Sequence, residues 1–219
     1  MTEAAIPKRC RIVLIAPQGV DHKNFEKAFR EAVAGGDIAS VILPSYDQGD
    51  DAFQALAEKV VPIAQEAGIA TIIAGDTRIA GRVQADGIHV EAKPAELIEA
   101  IENFQPRMAV GAGGAKTRDD ALALGEARPD YIFFGRFGYD NKPEAHSRNL
   151  SLGTWWAEMI QIPCIVLAGS DLASVEAVAA TGAEFVALSS AVFGEGIDPR
   201  EAVARANAIL DETAPRLAD

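Results

Sequence analysis

The chain has 219 residues, a length that suits one α/β barrel around a single sizeable core better than two small domains. Its net charge of −12, from 32 acidic against 20 basic residues, repels nucleic acid and anionic membrane, so neither is expected as a partner. MTEAAIPKRC lacks an apolar signal core, no apolar run reaches membrane-spanning length, and Cys10 and Cys164 lack metal-ligand spacing; a cytoplasmic, reduced protein is expected.

Residues 1–9 read as a loose tail. RIVLIA (Arg11–Ala16) is a strand, and Asn24 to Val33 a helix with Phe25, Ala28, Phe29 and Val33 on one face, stopping at Gly35-Gly36. SVILP (Ser40–Pro44) is a second buried strand, followed by a polar loop and a helix from about Ala52 to Ala67. IATIIA (Ile69–Ala74) is the third strand; a short segment from Arg78 to Val83 leads to the fourth, DGIHV (Asp86–Val90). Pro94 sits early in the next helix, where its missing N–H is not needed. MAVGA (Met108–Ala112) is the fifth strand, and Thr117 caps a helix running through Leu124. DYIFFG (Asp130–Gly135) is the sixth, ending in the long loop RFGYDNKPEAHSRN. A helical segment around Trp155, Trp156 and Ile160 reads as packing plus a partly exposed surface, which keeps a homodimer among the options. Within Pro163 to Phe193 come strand CIVLA, a helix carrying Leu172, Val175 and Val178, and strand FVAL; a helix from about Pro199 to Leu210 closes the chain.

Eight strands alternating with helices predict a parallel sheet with helices outside it. A closed (β/α)8 TIM barrel is favoured over an open sheet because eight units fit and no GxGxxG follows the first strand. The last two strands run into small residues, Ala168-Gly169-Ser170 and Ser189-Ser190-Ala191. Backbone N–H groups at Gly169, Ser170, Ser189 and Ser190 are therefore candidates to hold phosphate, since small residues allow close approach and loops seven and eight commonly bind it. The simpler reading is that small residues end tightly packed strands.

Three strings carry a more specific signal: ADGIHV (Ala85–Val90), DYIFFGRF…KP (Asp130–Pro143) and PCIVLAGS…TGAEFVALSSAVF. In this order they resemble the thiamine phosphate synthase and TenI superfamily. The resemblance implies a transferase of thiamine biosynthesis that joins hydroxymethylpyrimidine diphosphate to a thiazole phosphate and releases diphosphate with the help of Mg²⁺. It places Lys142, of NKP, on diphosphate oxygens. Arg136, directly after the sixth strand where the family usually has proline, is by its own chemistry a candidate for bidentate phosphate contact or for pairing with an acidic neighbour on the rim. It makes Asp76, in GDTR, and Glu91 the metal carboxylates, completed by phosphate oxygens.

Two departures stand out. The string ILPSYDQ after the second strand lacks the family's cations, and Tyr139-Asp140-Asn141 stands where the family has threonines. Weak activity as an ordinary synthase is therefore expected. A TenI-like thiazole tautomerase is one alternative, although Lys116 stands near the position of its histidine. Others are a non-catalytic barrel binding thiazole phosphate or thiamine phosphate, and a phosphosugar isomerase or aldolase using Lys142 or Lys116 as a Schiff base. His89, flanked by Ile88 and Val90, reads as a hydrogen-bonded core group.

Overall fold

The computed structural model describes residues 7–91 and 93–216. Eight parallel strands close on themselves in sequence order: β1 (Arg11–Ile15), β2 (Ser40–Pro44), β3 (Ala70–Ala74), β4 (Gly87–Val90), β5 (Ala109–Ala112), β6 (Tyr131–Phe134), β7 (Cys164–Leu167) and β8 (Phe185–Leu188). The seam is parallel, with Arg11 opposite Phe185 and Leu14 opposite Leu188. The expected (β/α)8 barrel is therefore the fold.

Period-2 alternation sorts the strand side chains into two cores. Val13, Ile15, Ile42, Ile72, Phe133, Ile165 and Leu167 fill the barrel. Their neighbours Ile12, Leu14, Val41, Leu43, Ile73, Ile132, Phe134 and Val166 pack outward beneath the helices. Phe133 and Ile42 are fully buried, each contributing roughly 1.5–3 kcal/mol of hydrophobic stabilisation.

The outer helices are α1 (His22–Val33), α2 (Asp50–Glu66), α3 (Thr77–Val83), α4 (Pro94–Phe104), α5 (Arg118–Gly125), α6 (Ser147–Met159), α7 (Ser174–Ala179), α8 (Ser190–Phe193) and α9 (Pro199–Thr213). Most starts are capped by a side chain: Asp21 for α1, Asp76 for α3, Thr117 for α5 and Asp198 for α9. The Thr117 cap is reciprocal with Asp120, a capping box. His146 caps α6, its Nδ1 accepting from the Arg148 N–H at 3.2 Å. The four-residue α8, inserted between β8 and α9, was not among the expected elements. Among the described residues no helix is long and apolar enough to cross a membrane.

Gly35 does more than end α1. A Cβ there would lie 2.6 Å from the Arg200 carbonyl oxygen, so the glycine lets the first helix meet the last. Of the stretch expected to be a loose tail, residues 1–6 lie outside the described residues. Arg9 is only 8% exposed; it donates to Asp211 at 2.7 Å and to Asn207 at 3.1 Å, tying the chain's start to α9.

Three acidic residues, each just before a strand, reach back to the preceding strand. Asp86 accepts from the Thr71 N–H at 2.8 Å and the Thr71 hydroxyl at 2.7 Å. Asp130 accepts from the Val110 N–H at 2.7 Å, and Glu184 from the Cys164 N–H at 2.8 Å. All three stand at the N-terminal end of the barrel, away from the strand ends that carry chemistry in this architecture. Gln65 and Gln105 repeat the pattern, donating to Asp86 and Asp130 respectively and to the carbonyls of Gln84 and Arg128. Both carbonyl residues have left-handed backbone, at φ 56° and 58°.

Candidate active site

The C-terminal ends of β4, β5 and β6 open onto a cavity of about 780 Å³ bordered by Glu91, Lys93, Lys116, Asp120, Arg136 and Arg148. A second cavity, of about 540 Å³, is bordered by Arg136, Tyr139, Asp140, Lys142 and Ala168. A third, of about 490 Å³, lies over the barrel mouth between Tyr46, Thr77, His89, Glu91, Arg136 and Phe137. Arg136 borders all three. Its guanidinium lies 3.7 Å over the centre of the Tyr139 ring, a stacking that orients the planar fork without using its N–H donors.

Among the described residues, Lys93, Lys116, Arg136 and Arg148 form no ion pair with a carboxylate. Acidic charge is nearby but at longer range. Loss of solvent raises the Glu91 carboxyl pKa, and the Arg136 charge opposes that rise. Asp120 is held below the usual carboxylate range by the Lys116 backbone N–H and the Thr117 side chain, with the Lys116 charge adding to this. Lys142 is exposed and shares the second cavity with Arg136, so the two cations expected to grip diphosphate border one space. Lys116 is exposed too. Neither lysine has the dry surroundings that a Schiff-base amine requires.

His89 points into the barrel. It stacks on Tyr131 and meets Phe133 and Phe137 edge-on. Nδ1 shares a 3.0 Å hydrogen bond with the Tyr131 hydroxyl. Nε2 is buried with no partner among the described residues, and a Cβ on Gly113 would sit 2.6 Å from it. Burial without a charge partner pushes the imidazole pKa down to about 3, so it is neutral across the physiological range. The sequence reading of a hydrogen-bonded core group describes one side of this ring; the other borders the mouth.

Asp76 caps α3 through the Arg78 N–H, and both carboxylate oxygens accept from the Arg78 guanidinium. The hydrogen bonds to Arg78 bring its pKa down to about 2. Among the described residues no three His, Cys, Asp or Glu side chains converge. With Asp76 engaged by an arginine and Glu91 facing another, this carboxylate pair does not fit a resident Mg²⁺.

At the ends of β7 and β8 the small residues meet the chain's own loop. The Gly169 N–H donates to Ser174 Oγ at 3.0 Å, and the Ser170 N–H to the Lys142 carbonyl at 2.7 Å. The Asp171 N–H reaches the Pro143 carbonyl at 3.2 Å. A Cβ on Gly169 would lie 2.1 Å from that Pro143 oxygen, so the glycine is required by the loop lying across it. Ser189 is buried, and the Ser190 N–H donates to Asp140 Oδ2 at 2.6 Å. Sequence reasoning passed over Asp140 as a binding residue, noting it only as part of a departure, and it passed over Arg148 and Lys93 entirely.

A family model described as thiamine monophosphate synthase matches residues 12–192. A thiamine-phosphate synthase of Hyphomonas neptunium is 30% identical over 98% of this chain and 100% of its own length. One from Rhodospirillum centenum is 29% identical over 92% and 98%. Among solved structures, a thiamine phosphate pyrophosphorylase from Pyrococcus furiosus superposes with a TM-score of 0.80, covering 95% of this chain and 98% of its own at 20% identity, a likeness of fold. With the family model spanning most of the barrel and a relative aligned from end to end, the chain belongs to the thiamine monophosphate synthase family.

Proposed function

We propose that this chain is a transferase of the thiamine phosphate synthase type. In that reaction the C–O bond between a pyrimidine methylene and its diphosphate breaks, and diphosphate leaves with the bonding electrons. A thiazole ring nitrogen then gives its lone pair to the resulting cation, forming the C–N bond of a thiazolium. Family membership supports the reading. The observation that carries it is the gathering of Lys93, Lys116, Arg136 and Arg148 around one cavity in a chain of net charge −12. Cations left unpaired at a barrel mouth are placed to receive an anion.

In this reading Arg136 takes the leaving diphosphate through its fork, with Lys142 as a point charge beside it. These cations stand in for those absent after β2. Mg²⁺ enters as part of the substrate, bound to the diphosphate, because Asp76 and Glu91 do not form a seat for it alone. The neutral imidazole of His89 and the Phe137 ring supply a dry floor at the mouth.

The test is diphosphate release from the pyrimidine diphosphate in the presence of Mg²⁺ and a thiazole. Arg136→Ala should lower kcat/KM by roughly ten- to hundredfold, the equivalent of about 1.5–3 kcal/mol for a charge-assisted contact. Absence of thiazole-dependent diphosphate release from the folded parent protein would refute the proposal.

A further inference from the structure

Asn149 is a buried polar side chain that the fold leaves without a protein partner. It stands in the first turn of α6 and is only 8% exposed, and its amide makes no hydrogen bond among the described residues. The amide oxygen and nitrogen are unpaired yet not sealed from solvent, unlike His89 Nε2, so this end of the side chain is the part that stays open. It opens onto the two larger cavities. Gly135, Arg136, Arg148 and Asn149 border both of them and so form the wall they share.

The charge at that wall has one sign. Arg136 and Arg148 are exposed and form no ion pair among the described residues. The N-terminus of α6, a helix of 13 residues, adds partial positive charge where His146 and Ser147 border the second cavity. The acids stand away from the wall: Glu91, Glu96 and Asp120 border the first cavity and not the second, Asp140 and Glu144 the second and not the first. Guanidinium groups carry donors and no acceptor, so neither arginine can satisfy the amide N–H groups. Those N–H groups call for an oxygen from outside the chain, and an oxygen between two arginines suits an anion.

We infer that Asn149 is a further binding residue for the leaving diphosphate, its amide N–H donating to a phosphoryl oxygen held between Arg136 and Arg148. The inference rests on the proposed transferase reading and adds a neutral donor to the cations of that site. The arginines supply charge from long exposed side chains that must be ordered on binding. Asn149 supplies direction, because burial has already fixed its amide during folding.

The probe is inorganic diphosphate with Mg²⁺, titrated calorimetrically into the parent protein, Asn149→Leu and Asn149→Asp, with a melting temperature recorded for each. Leucine keeps the size of the side chain; affinity should fall by roughly tenfold, the loss of one hydrogen bond to a charged acceptor. Aspartate keeps the shape and adds a charge that suits a helix N-terminus and two arginines, so its melting temperature should not fall. Its affinity for diphosphate should nonetheless fall further, by roughly a hundredfold, because its carboxylate repels the phosphoryl oxygens and takes up the arginines. In turnover, both variants should raise KM for the pyrimidine diphosphate and leave KM for the thiazole unchanged. Affinity unchanged in both folded variants overturns the inference, as does a loss confined to Asn149→Leu and matched by a lower melting temperature. A parent protein that does not bind inorganic diphosphate overturns it too. The expected order of affinities in a protein that shows no thiazole-dependent diphosphate release overturns the transferase reading and leaves the role of Asn149 standing.

Discussion

His89 should make the protein lose stability on acidification in a way that one substitution removes. The ring is 5% exposed, its neighbours are aromatic, and its pKa in the fold is about 3 against about 6.5 in an unfolded chain. Well above pH 6.5 the imidazole is neutral in both states and contributes nothing to the pH dependence. As pH falls below that value the unfolded chain takes up a proton that the folded protein refuses, so unfolding becomes easier. Each pH unit within the window corresponds to about 1.36 kcal/mol per proton, so between pH 7 and 4.5 the loss from this residue is about 2–3 kcal/mol. Urea unfolding measured at half-unit steps over that range gives the slope. His89→Gln cannot titrate, and its stability should fall less steeply by that amount, whatever its stability at pH 7. Glu91, raised in the fold, acts in the opposite direction but is present in both proteins and drops out of the difference. Parallel curves for the parent and His89→Gln would show that the histidine is not held neutral, and the account of the mouth as a dry floor would fail with it.

Asp86→Ala should destabilise the barrel by roughly 2–4 kcal/mol in urea unfolding, because the Thr71 N–H and hydroxyl, in a fully buried residue, lose their acceptor. The same variant, at the far end of the barrel, should leave KM for the pyrimidine diphosphate unchanged. Gly169→Ala should cost about 1–3 kcal/mol, since its methyl meets the Pro143 carbonyl and the loop must shift; an unchanged melting temperature would count against the packing described. Calorimetric titration should show Mg²⁺ binding strongly only when diphosphate is present, and equal affinity without it would reinstate Asp76 and Glu91 as a resident site.

The strands were legible because strands of a parallel barrel are buried on both faces and therefore read as short continuous apolar runs; SVILP and FVAL match β2 and β8 residue for residue. Differences collect at element ends. Asp86 and Asp130 were assigned to strands because they adjoin the runs, whereas in the fold their carboxylates turn back to Thr71 and Val110. Those bonds span 15 and 20 residues of chain, which no local pattern reveals. The start of α1 was within reach, since Asp21 stands three residues before Asn24, whose N–H it accepts. At the site, Arg136 was legible from its place directly after β6. The closure of the β7 and β8 ends was not, because it depends on where the long β6–α6 loop folds back. Its traces in sequence are a glycine at 169, equally suited to a ligand or to a loop, and an aspartate where threonine was expected.

The strings that carry the family resemblance reach both ends of this barrel. The strings that carry the resemblance include Asp86, Asp130 and Glu184, the acids that fasten β4, β6 and β8 each to the strand before it. They are needed to close the barrel whatever reaction it performs, so they identify the fold and its lineage and are silent about the substrate. The departures stand at the other end, in the loops after β2 and β6. Asp140, in the second of these loops, is only 5% exposed, and taking such a group from water is tolerated only where strong hydrogen bonds replace the lost solvation. Asp140 has one from the Ser190 N–H, and the loop that delivers it is accommodated by the bare backbone of Gly169. The Asp140 carboxylate, the Ser190 N–H and the bare backbone of Gly169, from three separate segments, thus fit one another.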